Sequence, residues 1–145
     1  MDYQEKRSII MKHYENPKNR GLIDNDKYIK SHINNDNCID ELDLMINIDD
    51  NVISDIRFDG EACSICISST SIMISLLIGK SVEEVKVLID NFKKMIETED
   101  YDKTKLGSAN VFDDISKQPN RKTCALLPWL AVEKIVGGGF VRNRN

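Results

Sequence analysis

An α+β fold, with a three-stranded antiparallel sheet packed against helices, is the class this sequence predicts. Three observations carry it. Leu42, Leu44, Ile46 and Ile48 alternate with residues expected to be polar or exposed, and Val52 to Phe58 reads as a further strand after Asp49-Asp50-Asn51, a good hairpin turn. Beyond Gly60 the apolar pattern becomes helical, first apolar on nearly every face and then with a 3.6-residue stripe. Strands grouped ahead of most of the helices, rather than alternating with them, separate this class from a parallel α/β sheet.

The elements follow in order. Tyr3 to Tyr14 carries Ile9, Ile10 and Tyr14 among charged residues, an amphipathic helix stopped by Pro17 and Gly21. Tyr28 to Asn34 alternates weakly and reads as the first strand, with residues 42–48 and Val52 to Phe58 as the second and third. A tight turn is expected at Gly60, leading to a buried helix from Ile67 to Ile78. Ser81 caps the next helix, whose Val82, Val85, Leu88, Ile89, Phe92 and Ile96 form one stripe. Thr98 to Lys105 reads as a solvated excursion. Gly107, Val111, Phe112 and Ile115 then read as a short return helix closed by Pro119. Cys124 opens the last expected helix, Ala125 to Val136, which Gly137-Gly138-Gly139 stops. One domain over residues 1–136 and a disordered tail over 137–145 are expected.

Composition narrows the function. With 41% hydrophobic and 30% charged residues, wholesale disorder is excluded. A net charge of -4, from 24 acidic and 20 basic side chains, leaves no basic footprint for nucleic acid. No apolar run approaches the ~18 residues of a membrane span, and the first residues hold no apolar signal core. A cytoplasmic location is therefore expected. Thiols stay reduced there, so the four cysteines point to metal or sulfur chemistry rather than to a disulfide frame.

Cys38, Cys63 and Cys124 each fall in an expected turn, the last two at expected helix starts, and Asp40 lies two residues after Cys38. Three thiolates and a carboxylate suit tetrahedral zinc, and equally iron in a cluster. Cys66 lies about one turn into an apolar helix and reads as core packing. A redox dithiol with Cys63 is the sharper alternative, though the expected fold is not thioredoxin-like. His13 and His32 have no second histidine at ligand spacing and read as packing or surface residues, and Trp129 reads as core.

The motifs have a familiar form. Met11-Lys12-His13-Tyr14-Glu15-Asn16-Pro17-Lys18-Asn19-Arg20-Gly21 resembles the end of helix one in the U-type iron-sulfur assembly proteins, the IscU, SufU and NifU N-terminal family. Asn37-Cys38-Ile39-Asp40, Gly60-Glu61-Ala62-Cys63-Ser64-Ile65 and Arg121-Lys122-Thr123-Cys124 resemble its three cysteine motifs, in order. The long stretch between Cys63 and Cys124, and Arg121 three residues ahead of Cys124, are similar to the SufU branch. An IscU-type scaffold carries histidine where this chain has Thr123. Ile39 replaces a usual glycine, and Cys66 replaces a small residue, adding a fifth possible ligand.

The resemblance implies a SufE/NifU-like fold with the metal at one exposed end. It implies a zinc-dependent sulfurtransferase that takes persulfide sulfur from a pyridoxal-phosphate (PLP) cysteine desulfurase and serves iron-sulfur apoproteins, with no nucleic-acid or membrane partner. Cys38, Asp40, Cys63 and Cys124 would be the metal ligands. Cys38, in the most loop-like segment, would accept the sulfur, and Arg121 would orient the partner or the persulfide unless it is simply a surface charge. The alternatives are a scaffold that assembles and transfers a 2Fe-2S cluster on the same residues, and a purely structural zinc domain.

Overall fold

The computed structural model describes residues 1–35 and 40–137. Helix α1 (Tyr3–Glu15) is followed by β1 (Ile29–Asn34), β2 (Glu41–Asp49) and β3 (Val52–Glu61), then α2 (Ser64–Leu77) and α3 (Val82–Ile96). Three short 3-10 turns, Lys103–Lys105, Gly107–Phe112 and Ile115–Lys117, lead to α4 (Pro119–Val136). The sheet is antiparallel in the order β1-β2-β3, as expected.

Alternation builds the sheet. Leu42, Leu44 and Ile46 of β2 and Ile53, Ile56 and Phe58 of β3 are fully buried, while Glu41, Asp43, Asp59 and Glu61 occupy the intervening positions. At the hairpin, Asp50 and Asn51 both have positive φ (50° and 64°), the pattern of a tight two-residue turn that Asn and Asp tolerate. A register shift at Asn47/Ile48 lets Ile53 and Ile56 both face the core.

Gly60 does not turn the chain. It lies within β3, paired with Leu42, at φ 139°. A Cβ there would run into the Glu41 carbonyl oxygen, so glycine is required because two backbones approach closely. The chain turns two residues later, at Ala62 and Cys63, where β3 gives way to α2.

Helix α2 is the central rod, in contact with both α1 and α4. Its apolar residues Ile67, Ile72, Met73, Ile74 and Leu77 are buried, and so are Ser68, Ser69, Thr70 and Ser71. Each of those four hydroxyls has a partner: Ser68 and Thr70 donate to α2 carbonyls, and Ser69 donates to the Ala125 carbonyl of α4 at 2.6 Å. Ser71 accepts the Lys18 backbone N–H at 2.8 Å and lies 2.7 Å from His13 Nδ1. Small side chains let the flanking helices come close, and their polar atoms are satisfied within the packing. Helix α3 is held at its start by a full capping box between Ser81 and Glu84.

The region after α3 departs from expectation in three ways. Residues 98–105 are not merely solvated: the Asn91 side chain clasps the Asp102 backbone at both N–H and carbonyl, 2.8 and 2.6 Å. In place of a return helix there are 3-10 turns burying Leu106, Ala109, Val111 and Phe112. Pro119 opens α4 instead of closing what precedes it, because a proline in the first turn lacks only an N–H that has no intrahelical partner there. Cys124 consequently sits inside a helix, not at its head. The expected tail lies beyond the described residues except for Gly137, where α4 stops.

Candidate metal centre

Asp40, Cys63 and Cys124 come together from three separate elements. Asp40 immediately precedes β2, Cys63 is the N-cap of α2, and Cys124 is the sixth residue of α4. Asp40 is 1% and Cys124 4% exposed, whereas Cys63 is half-buried. One ligand atom from each lies within 4.8 Å of the others.

Hydrogen bonds fix the arrangement. The Cys63 backbone N–H donates to Asp40 Oδ1 at 2.7 Å, which ties the start of α2 to the entrance of β2. The other carboxylate oxygen, Oδ2, lies 3.8 Å from Cys63 Sγ. Cys63 caps its own helix, its sulfur accepting the Cys66 N–H at 3.5 Å. On the far side, Cys124 Sγ is 3.5 Å from the Asn120 carbonyl, and Asn35 Nδ2 approaches it at 4.0 Å.

The donor set fits a metal. Atoms bound at ~2.0–2.3 Å to one tetrahedral ion lie ~3.3–3.8 Å apart, so a contraction of ~1 Å from the observed spread of 4.8 Å closes around one. A carboxylate and two sulfurs, mostly buried, form a costly group to leave without a cation and a normal one to place on zinc or iron.

Other expected residues fall as follows. Cys38 lies outside the described residues. Cys66 is fully buried among apolar residues, as expected for core packing, and is not one of the three clustered donors. Arg121 is exposed in the first turn of α4 and lines a cleft with Arg7, Ile10, Ser64, Ile65 and Gln118. His13 packs on Ser71, and burial, helped by Lys12, pushes its pKa below the ordinary value. His32 lies at the surface between Asp43 (2.7 Å) and Glu41 (3.2 Å), and the Asp43 hydrogen bond raises its pKa. Trp129 is core, stacked on Phe92 with ring centroids 4.0 Å apart. Sequence reasoning missed Asn35 beside Cys124 and the capping role of Asp40; the run of turn-forming residues at 34–37 was the only hint of the first.

Comparison with known proteins agrees with this geometry. The model of the NifU-like N terminal domain matches residues 3–125. The chain is 36% identical over 129 residues to the zinc-dependent sulfurtransferase SufU of Bacillus subtilis, covering 88% of this chain and 86% of that one. It is 33% identical over 125 residues to the iron-sulfur cluster assembly scaffold protein IscU of Thermotoga maritima, covering 86% and 87%. The crystal structure of a putative iron-sulfur cluster assembly scaffold protein for the SUF system from Fervidobacterium islandicum superposes with a TM-score of 0.80 at 33% identity, over 86% of this chain and 91% of that one. With its cysteine motifs in order and two of their sulfurs gathered beside Asp40, the chain belongs to the NifU-like N-terminal domain family of iron-sulfur cluster assembly proteins.

Proposed function

We propose that this protein is a zinc-dependent sulfurtransferase of the SufU type, acting in the cytoplasm with a pyridoxal-phosphate cysteine desulfurase and passing sulfur on toward iron-sulfur apoproteins. The observation that carries the reading is the Asp40, Cys63 and Cys124 cluster in a chain whose relatives include a protein named as such a sulfurtransferase. Thr123 immediately before Cys124 adds support, since it offers no imidazole for a cluster.

In this reading Asp40, Cys63 and Cys124 hold zinc, with Cys38 as the fourth ligand. Bound zinc would keep the thiols deprotonated and protected until a partner docks. The transfer itself is a thiol exchange: the Cys38 thiolate attacks the terminal sulfur of the desulfurase persulfide, and the S–S bond of that persulfide breaks. The desulfurase cysteine leaves as thiolate, and Cys38 becomes the persulfide. Arg121, beside the start of α2 in the shared cleft, would meet the partner or the incoming anionic sulfur. Asp40 keeps Cys63 in place through its backbone N–H throughout.

The test is metal content with a desulfurase assay. One zinc per chain after aerobic purification, faster sulfide production by a cognate desulfurase, and loss of that stimulation in Cys38→Ser with zinc retained would support it. A stable iron-sulfur chromophore that is transferred to an apoprotein, with zinc easily displaced, would instead establish the scaffold reading, which the IscU-named relatives favour.

A further inference from the structure

The two sulfurs that share the first turn of α2 stand in unequal positions. Cys63 is the N-cap, half-exposed; Cys66 is the third residue of the helix and has no exposed surface. The Cys63 sulfur reaches forward to the backbone N–H of Cys66 at 3.5 Å, so it already lies over the residue that carries the second thiol. Side chains three apart on a helix have Cβ atoms ~5–6 Å apart. A disulfide needs ~3.5–4.5 Å, so joining them takes a contraction of ~1–2 Å within a single turn.

We propose that Cys63 and Cys66 form a reversible disulfide, in which half-exposed Cys63 meets an external low-molecular-weight disulfide and buried Cys66 resolves it. The Cys63 thiolate attacks one sulfur of the external disulfide, whose S–S bond breaks; one thiolate leaves, and Cys63 carries a mixed disulfide. The Cys66 thiolate then attacks Cys63 Sγ, the mixed S–S bond breaks, and the second small thiolate departs. Two protein thiols are oxidised, one external disulfide is reduced to two thiols, and the two protein protons end on those thiols. Cys66 never needs contact with solvent, because its only target is the neighbouring sulfur.

Cys124 is the competing partner, with its ligand atom within 4.8 Å of Cys63. Linking it, however, would pull α4 against α2, two helices packed through Ser69, Ala125 and Trp129. The Cys66 route stays inside one turn. A sulfur committed to Cys66 cannot bind a metal, so on the metal-centre reading, on which this part rests, oxidation empties the site and zinc protects it.

The experiment exposes metal-stripped and zinc-loaded protein to excess oxidised glutathione, followed by denaturation, alkylation and peptide mapping. In the metal-stripped wild type, the loss of two alkylatable thiols, mapped to a Cys63–Cys66 link and reversed by a dithiol reductant, is expected. Cys66→Ala should instead accumulate glutathione on Cys63. Zinc loading should slow the oxidation roughly tenfold or more. A link from Cys63 to Cys124 or Cys38, or Cys63 and Cys66 both remaining alkylatable, overturns the proposal. If the Cys63–Cys66 link forms but zinc is not retained and gives no protection, the disulfide stands and the metal-centre reading fails.

Discussion

Replacing Ser69 by alanine tests how the two helices that carry Cys63 and Cys124 are joined. The Ser69 hydroxyl accepts the indole N–H of Trp129 at 3.0 Å and donates to the Ala125 carbonyl at 2.6 Å, with all three residues at 0% exposure. In Ser69→Ala the indole N–H is left without an acceptor where no water reaches, at a cost of ~1–3 kcal/mol. The Ala125 carbonyl stays within the α4 helical ladder, so its loss adds only ~0.5–1 kcal/mol. A total of ~1.5–4 kcal/mol in a chain of this size lowers Tm by ~3–16 °C. Trp129 is the only tryptophan, so its fluorescence during urea or thermal unfolding follows the perturbed contact directly. In Trp129→Phe no N–H remains to be orphaned. The losses in Ser69→Ala and Trp129→Phe, read by circular dichroism, should therefore fall short of additivity by ~1 kcal/mol. A Ser69→Ala loss below ~0.5 kcal/mol, or strict additivity, would refute the bridge.

Gly60→Ala places a methyl on the Glu41 carbonyl at a positive φ and should cost ~2–4 kcal/mol, measured by urea unfolding; a neutral result would mean that β2 and β3 are not so close. The two histidines should titrate on opposite sides of the ordinary value in NMR, His13 below it and His32 above it. The sign for stability follows. Between the His13 folded pKa and 6.5 the unfolded chain binds more protons, so His13 makes stability rise with pH in that window and is a penalty below it. The His32 contribution is present below 6.5 and is lost as pH rises through its raised folded pKa. Saturating zinc at about a thousand times Kd should raise wild-type stability by ~4 kcal/mol, and Asp40→Ala should lose most of that gain, as read by thermal unfolding with and without chelator. Ser81→Ala should cost ~1 kcal/mol through the capping box, with no effect on metal content.

The sheet and the two middle helices were legible because their signals are local. Alternation in residues 42–48 correctly turns Leu42, Leu44 and Ile46 inward, though Met45, out of phase, is buried as well and Ile48 only partly so, and the apolar surround of Ile67 to Ile78 allows only a buried rod. Ser81 announces α3 in the same way. What escaped was set by partners distant in sequence. Gly60 looks like a turn glycine until Glu41 is known to lie across from it. Pro119 looks like a stop because a proline both opens and ends helices, and only the packing of residues 115–124 decides. Misplacing that boundary put Cys124 at a helix start, while its proximity to Asp40 and Cys63 depends on how α4 lies against α2. The residue types of the site were readable from the motifs; the Asn35 approach and the Asp40 bond to the Cys63 backbone were not, since neither leaves a spacing pattern.

The carboxylate of Asp40 has two oxygens with separate occupations. One is engaged by the Cys63 backbone N–H, and the other lies toward the sulfurs. The junction between β2 and α2 is therefore latched by a bond that asks nothing of a metal. In the proposed zinc form, an ion held through the second oxygen would leave the bond at the first in place. The strand-to-helix junction at the centre would then keep its shape whether or not the proposed ion is bound, a dock that does not depend on its cargo.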